Sequence, residues 1–175
     1  MKKKQKIKLN KKKNIKKVTG KSSSKKGKKA KLKKVVMVSG GFDPIHIGHV
    51  RYFQEAKKLG DKLVVVINND NWYGVKGRPV FMPDQERKEI IEALACVDEV
   101  ILSGHPENTN DISVCREIMS VKPHIFANGG DRFADNIPEF KLCNELGIEM
   151  VFNVGQGGKV RSSSELLKAY KEKLK

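Results

Sequence analysis

The chain has 175 residues, 38% of them hydrophobic, which suffices for one domain with a real core and excludes two ordinary domains. Its formal net charge is +16, from 36 basic and 20 acidic residues. Residues 1–34 hold 18 lysines and no acidic residue, so residues 35–175 hold 36 − 18 = 18 basic and 20 acidic residues, a net charge of −2. The basic character therefore belongs to one end, and the remainder is nearly neutral.

The cysteines and the apolar runs restrict the cellular setting. Cys96, Cys115 and Cys143 lie far apart without a CxxC pair, so neither a disulfide framework nor a structural zinc knuckle is expected. No apolar run approaches the length that spans a bilayer, and the N-terminus lacks the apolar segment of a secretory signal. We expect a cytoplasmic protein without a membrane span. The nucleus is the alternative, because residues 25–34 fit a lysine-rich nuclear localisation patch.

Residues 1–34 have too little apolar surface and too much like charge to fold, so they are predicted to form a disordered lysine-rich tail. From residue 35 onward, short apolar runs alternate with segments of helical periodicity. The predicted strands are residues 35–38, 63–67, 97–102, 124–127 and 148–154. The predicted helices are residues 48–59, 84–95, 111–120, 138–146 and a last one from about Ser162.

The apolar strands are continuous rather than alternating, which favours a parallel sheet that is covered on both sides. The sequence thus predicts an α/β fold for residues 35–175: a Rossmann-like, doubly wound, five-stranded parallel sheet with helices on both faces. Residues 68–83 are predicted to be a long loop, followed by a helix that Asp84 caps.

The strongest chemical signal follows the first predicted strand, in the run Gly40-Gly41-Phe42-Asp43-Pro44-Ile45-His46-Ile47-Gly48-His49. Two imidazoles three residues apart on the first turn of a helix project to the same side, and the helix N-terminus offers unpaired N–H groups to an anion. The run predicts a phosphate site with two hydrogen-bond donors, and Gly48 between the histidines predicts close approach by ligand atoms. A pair that merely caps the helix is the competing interpretation, and a metal pair lacks a third ligand at zinc-type spacing.

A second polar run follows the last predicted strand, where Arg161 precedes Ser162, Ser163 and Ser164. A serine at a helix start caps that helix, which is the ordinary interpretation of each serine alone. Three serines behind an arginine also fit the outer phosphates of a triphosphate. Ligands of a doubly wound sheet bind beyond the carboxyl ends of the strands, so we expect both runs to converge on one phosphate cradle.

Together the two runs resemble the marks of the cytidylyltransferase-like family of nucleotidylyltransferases, and the resemblance covers residues 35–170. The middle of the chain is similar to the bacterial heptose-phosphate adenylyltransferase and glycerol-phosphate cytidylyltransferase branches, through Lys76-Gly77-Arg78-Pro79-Val80, Gln85-Glu86-Arg87 and Asn128-Gly129-Gly130-Asp131. Asn128 departs from the lysine usual in the heptose branch, so the acceptor and the base stay open.

The resemblance implies a direct displacement, in which a phosphate oxygen of the acceptor attacks the α-phosphorus of ATP or CTP and pyrophosphate leaves with Mg²⁺. The residues it implies for charge stabilisation are His46, His49, Lys76 and Arg161. The residues it implies for nucleotide binding are Gly40, Gly41, Phe42, Asp43, Gly48, Gly129, Asp131, Ser162, Ser163 and Ser164. No protein side chain is assigned to the metal, because Mg²⁺ is expected to be held mainly by the phosphates.

The candidates for contact with the acceptor are Asp70, Trp72, Tyr73 and Arg87. Each has an ordinary alternative: Asp70 as a turn former, the two aromatic residues as loop anchors, and Arg87 as a solvated helix residue. The favoured acceptor is a sugar or polyol phosphate, with ATP and CTP equally weighted. Family members often form dimers, so the resemblance also allows a homodimer.

A hypothesis from another class makes the chain a polyanion-binding or nucleic-acid-binding protein whose folded domain is only an inactive platform. Lysines without interleaved aromatic residues bind phosphate backbones non-specifically and in a salt-dependent way. Paired histidines together with Lys76 and Arg161 favour the enzyme, because a platform has no need of that combination.

Overall fold

The structure, a computed structural model, describes residues 33–130, 132, 137–155 and 161–174. The predicted tail, except for Lys33 and Lys34, lies outside the described residues, and so does the predicted nucleotide ligand Asp131.

The described residues form a five-stranded parallel sheet whose strand order is β3-β2-β1-β4-β5. The strands are β1 (Val35–Gly40), β2 (Lys62–Ile67), β3 (Glu99–Leu102), β4 (Ile125–Gly129) and β5 (Glu149–Val154). The chain builds the sheet outward from β1 in one direction and then places β4 and β5 on the other side. Strand order therefore reverses between β1 and β4, which is the point where α/β sheets of this type bind ligands.

Six helices lie within the described residues: α1 (Ile47–Lys57), α2 (Asp70–Val75), α3 (Asp84–Glu92), α4 (Cys115–Val121), α5 (Glu139–Leu146) and α6 (Ser163–Lys173). Successive side chains of β1 point to opposite faces of the sheet. Val36 and Val38 join a core that includes Phe53 of α1, whereas Met37 joins a second core with Ile118 of α4. The prediction of a parallel sheet covered by helices on both faces is confirmed.

Three local predictions need correction. The segment predicted to be one long loop contains α2, which Asn69 caps by accepting a hydrogen bond from the Trp72 N–H. Asp84 is the first residue of α3 rather than its cap, and its side chain accepts a hydrogen bond from the N–H of Asp70. Helix α4 begins at Cys115, four residues later than predicted.

None of the helices in the described ranges combines the length and hydrophobicity that crossing a bilayer requires.

Replacing Phe53 with alanine tests the core beneath the first turn. The Phe53 ring is fully buried and packs edge to face on Phe42, with ring centroids 4.9 Å apart. We expect Phe53→Ala to lower the free energy of unfolding by about 3–5 kcal/mol, measured by urea denaturation. Tyr170→Ala, at a 60% exposed aromatic residue of α6, is the control. Equal losses in the two variants would contradict this assignment of the core.

Candidate active site

The turn after β1 is held by the carboxylate of Asp43. Its two oxygens accept hydrogen bonds from the N–H groups of Phe81 (2.7 Å) and Met82 (2.8 Å), and the side chain is buried. Phe42, just before it, adopts a positive φ of 55° and places its ring against His49, with centroids 5.0 Å apart. Asp43 and Phe42 therefore shape the turn through contacts with other protein groups. Both side chains also line the cleft described below.

His46 and His49 form a stacked pair at the start of α1, with ring centroids 3.7 Å apart and planes inclined by 20°. The Nδ1 atom of His46 accepts a hydrogen bond from the Gly48 N–H (3.1 Å), and Nδ1 of His49 accepts one from the His46 N–H (3.4 Å). A neutral imidazole with an accepting Nδ1 carries its proton on Nε2. Both rings therefore present an Nε2–H donor, and Nε2 of His46 is buried without a partner among the described residues.

Burial keeps both imidazoles neutral. It lowers the pKa of His49 from 6.5 to about 3, with a smaller contribution from His46. Burial also lowers the pKa of His46, assisted by the positive charge of Arg161. A charged imidazolium would lose its contacts with backbone N–H groups, because it has no nitrogen left to accept them. The pair thus supplies directed donors rather than positive charge.

The start of α6 reaches the same turn. Ser162 caps α6 by accepting a hydrogen bond from the Glu165 N–H (3.1 Å), as its ordinary interpretation requires. Ser163 donates its hydroxyl hydrogen bond to the Pro44 carbonyl (2.9 Å), which links the beginning of the domain to its end. Arg161 and Ser164 line the cleft together with the two histidines. The structure therefore brings the two polar runs together.

A cleft of about 760 Å³ lies between these elements. Five cationic side chains line it: Arg78, Arg132, Arg161, Lys168 and Lys171. Asp43 is the carboxylate among its described lining residues, and backbone N–H groups occupy its oxygens. No group of three or more His, Cys, Asp or Glu side chains suited to a metal ion occurs among the described residues. The cleft therefore offers donors and positive charge, which suits a chain of phosphates.

The side of the cleft opposite the serines is formed by α2 and the loop after it. Trp72 and Tyr73 line the cleft, and the indole Nε1–H of Trp72 donates to the Ile112 carbonyl (3.0 Å). Lys76 caps α2 and holds its ammonium 5.5 Å from the centre of the Trp72 ring, outside the lining of the cleft. Arg78, two residues later, supplies the cation of this loop that does line it.

Arg87 does not lie where a substrate contact was predicted. Its side chain is fully buried and donates to the carbonyls of Gly41 (2.6 Å), Asn68 (2.8 Å) and Met82 (2.9 Å). It also pairs with the carboxylate of Asp70 at 2.5 Å. In this structure Arg87 is buried outside the lining of the cleft, and Asp70 faces its partner and a separate surface groove rather than the cleft.

The glycines of the predicted nucleotide site have close protein neighbours. A Cβ at Gly48 would lie 2.9 Å from the His46 ring, and one at Gly41 would overlap the Tyr73 hydroxyl. Gly48 thus makes room for the histidine, which corrects the expectation that its space serves ligand atoms. Gly40 ends β1 and Gly129 ends β4, where Gly129 packs against the Tyr52 ring.

Four cations of the cleft were missed from the sequence. Arg78 belongs to the Lys76-Gly77-Arg78 run that was already noted, so the signal was present. Arg132 lies two residues after Gly130 in the sequence. Lys168 and Lys171 lie three residues apart on α6, a spacing that places them on one helix face. Their direction towards the cleft depends on how α6 packs, which the sequence does not display.

A parallel α/β sheet with a cation-lined cleft at its reversal point defines a nucleotide-binding class of protein. A family model described as cytidylyltransferase-like matches residues 37–165. A FAD synthase from Picrophilus torridus is 32% identical over 133 residues, which are 75% of this chain and 91% of that protein. The bifunctional protein HldE of Pelobacter propionicus is 38% identical over 128 residues, 70% of this chain but only 25% of that protein.

A crystal structure of a lipopolysaccharide core biosynthesis protein from Thermoplasma volcanium matches with a TM-score of 0.58 and 30% identity, over 70% of this chain and 98% of that one. The chain belongs to the cytidylyltransferase-like family, and it is a nucleotidyltransferase. The family and the type of enzyme predicted from the two polar runs are confirmed.

Removing the buried guanidinium tests its structural role. Arg87→Met leaves the Asp70 carboxylate without its cation and three carbonyls without a donor, so we expect a loss of about 3–5 kcal/mol in the free energy of unfolding. Lys88→Met is the matched control on the same helix, where the ammonium makes only a surface pair with Glu92 (3.7 Å). Urea denaturation compares the two. An Arg87→Met variant as stable as the control would overturn the role.

The neutral state of His49 predicts a pH dependence of stability. Above pH 6.5 the imidazole is neutral in both the folded and unfolded states, so it contributes no pH dependence. Between pH 6.5 and about 3 the unfolded chain binds a proton that the folded chain does not, so the free energy of unfolding falls as the pH falls. We expect a shallower fall in His49→Gln than in the parent, measured by urea denaturation between about pH 7 and about pH 4. Equal slopes would show that no buried neutral imidazole exists there.

Proposed function

We propose that the protein transfers the AMP part of ATP to the phosphate of a small metabolite and releases pyrophosphate. The observation that carries this proposal is the pair of neutral Nε2–H imidazoles in the lining of a cleft that also holds five arginine and lysine side chains and the serines at the start of α6. Charge grows on phosphate oxygens during transfer at phosphorus, and donors held in place before the reaction stabilise it.

The displacement needs no general base. An oxygen of the acceptor's phosphate, already ionised at neutral pH, forms a bond to the α-phosphorus while the bond from that phosphorus to the bridging oxygen breaks. Pyrophosphate takes the electron pair of the broken bond. His46 and His49 would donate to phosphate oxygens, while Arg161 and Ser162 to Ser164 would hold the outer phosphates. Neutral histidines suit this chemistry, because their task is to donate hydrogen bonds rather than to remove a proton.

Mg²⁺ would enter with the nucleotide, held by phosphate oxygens, and neutralise charge on the leaving pyrophosphate. The lining of the cleft fits a metal ion that is held by phosphates rather than by protein. Its cations and donors match phosphates, and the carboxylate of Asp43 already accepts two backbone N–H groups. Lys76 stands beside the Trp72 ring, so its ammonium is proposed to meet the acceptor phosphate at the rim. The Gly129 turn, with Asp131 after it, remains the proposed contact for ribose or base.

For the acceptor we propose flavin mononucleotide, which adenylyl transfer converts to FAD. The relatives whose length this chain nearly spans include FAD synthases from Picrophilus torridus and Thermoplasma volcanium, matched over 91% and 94% of their length. The α2 side of the cleft presents the Trp72 indole and Pro79, and a flat isoalloxazine ring stacks on such a surface. The same names favour ATP over CTP as donor, because FAD contains AMP.

A sugar or polyol phosphate is the second candidate. The match to HldE supports it, as does the middle segment of the sequence. The Trp72 ring on the α2 side of the cleft favours a sugar or polyol phosphate less. A polyhydroxylated acceptor gains more from hydrogen-bonding side chains than from the surface of a ring.

The full chain with Mg²⁺ should release pyrophosphate from ATP in the presence of flavin mononucleotide and form FAD, detected by chromatography. The panel should pair ATP and CTP with flavin mononucleotide, heptose and other sugar phosphates, and glycerol phosphate. Turnover with a sugar or polyol phosphate alone would replace the acceptor, and turnover with CTP alone would replace the donor. No turnover with any pair, together with salt-sensitive RNA binding, would instead support the polyanion-binding platform.

With the nucleotide and acceptor that prove active, His49→Asn should lower kcat by about 10²-fold to 10³-fold, because a donor to the developing charge is lost. His124→Asn is the matched control, since its exposed imidazole accepts from the Val35 N–H at the opposite, amino end of β1. If His49→Asn turned over as fast as the control, the catalytic role of the pair would be rejected.

A further inference from the structure

A buried polar network lies beside α2 in the segment between β3 and α4, and none of its members lines the cleft. His105 is 6% exposed and Ser103 is 3% exposed. The Nε2 atom of His105 lies 2.9 Å from the Ser113 carbonyl, so this nitrogen carries a hydrogen. The Nδ1 atom lies 2.6 Å from the Ser103 hydroxyl oxygen, and in the tautomer that carries its hydrogen on Nε2 this nitrogen accepts from the hydroxyl. The imidazole thus ties the two ends of the segment 103–113 together.

The same segment holds the beginning of α2. The His105 carbonyl accepts hydrogen bonds from the side-chain amides of Asn69 (2.8 Å) and Asn71 (3.0 Å). The Ser103 hydroxyl oxygen accepts the Asn69 N–H (3.0 Å). The Ile112 carbonyl accepts the indole N–H of Trp72 (3.0 Å). These contacts hold the beginning of α2, from its cap Asn69 to Trp72, against the segment between β3 and α4.

We propose that His105 is a positioning residue for the acceptor substrate. Its ring sets the distance between the two ends of the segment 103–113. It thereby places the His105 carbonyl, which holds the start of α2, and the Ile112 carbonyl, which holds the Trp72 ring. This inference rests on the proposed function, which assigns the α2 side of the cleft to the acceptor. It assigns acceptor selectivity to a residue outside the cleft, and it leaves the nucleotide side untouched, since no described contact links His105 to the histidine pair or to α6.

A helix of six residues depends on such contacts. Isolated short helices are unstable in water, because nucleation costs more than a few internal hydrogen bonds return. The orientation of α2 therefore depends on the shape of the segment 103–113 as well as on the pairing of Asp70 with Arg87. Loss of the imidazole would leave the Ser113 carbonyl without its donor and the Ser103 O–H without its acceptor, and the segment would shift or admit water.

Trp72 is the single tryptophan of the chain, so its fluorescence reports on α2 directly. The experiment compares the full-length parent with His105→Phe, which keeps a ring but loses both hydrogen bonds, and His105→Gln, which retains an acceptor and a donor. Ser103→Ala removes one partner at a small loss of volume and serves if His105→Phe folds poorly. Asn110→Ala, exposed in the same segment, is the matched control.

For His105→Phe and for Ser103→Ala we expect greater quenching of Trp72 fluorescence by acrylamide with an unchanged far-UV circular dichroism spectrum. The KM for flavin mononucleotide should rise about tenfold, because a displaced Trp72 ring contacts the acceptor less well, while the KM for ATP stays at the parent value. His105→Gln should restore both readouts towards the parent, and Asn110→Ala should match the parent.

Parent-like quenching in both His105→Phe and Ser103→Ala would overturn the inference. So would equal rises in the KM for ATP and for the acceptor, which indicate general destabilisation. The fluorescence readout needs no turnover, so it decides the role of His105 even where the panel of acceptors returns no activity. A failure of the proposed function can therefore be told apart from a failure of the proposed role of His105.

Discussion

The geometry of the cleft depends on one buried guanidinium. Arg87 of α3 donates to the carbonyl of Gly41 in the turn after β1, to the carbonyl of Asn68 just after β2, and to the carboxylate of Asp70 on α2. A buried cation is costly unless its hydrogens are engaged, and the guanidinium of Arg87 makes four hydrogen bonds from the five N–H groups that an arginine offers. The guanidinium joins the turn after β1 to α2, so it contributes to the placement of both sides of the cleft.

The two histidines and the surrounding cations divide the electrostatic work. His46 and His49 are kept neutral by burial, and backbone N–H groups at their Nδ1 atoms place their protons on Nε2. Neutral donors can stand close together without repulsion, which allows the 3.7 Å stacking that two imidazolium ions would resist. Positive charge comes instead from exposed side chains such as Arg161, where water lowers the cost of keeping the charge.

Local patterns predicted the strands and the two polar runs, because continuous apolar residues and residues within one turn are visible in sequence. Helix α2 was missed because its stability comes from Ser103, His105 and Ile112, more than thirty residues away. Arg87 was misjudged for the same reason. A charged residue on a helix resembles a solvated one until the carbonyls that surround it are known.

This difference between near and distant contacts bears on how one family serves different acceptors. The β1 side of the cleft is built largely within one strand-to-helix turn, so a short run of sequence specifies it, and the cytidylyltransferase-like family model covers that run. The α2 side is held from another segment, between β3 and α4. Changes in that segment would move Trp72 without touching the β1 turn, except through Arg87, whose bonds keep the two sides in register. Under the proposed function, acceptor choice would thus change while the chemistry at the α-phosphorus stays the same.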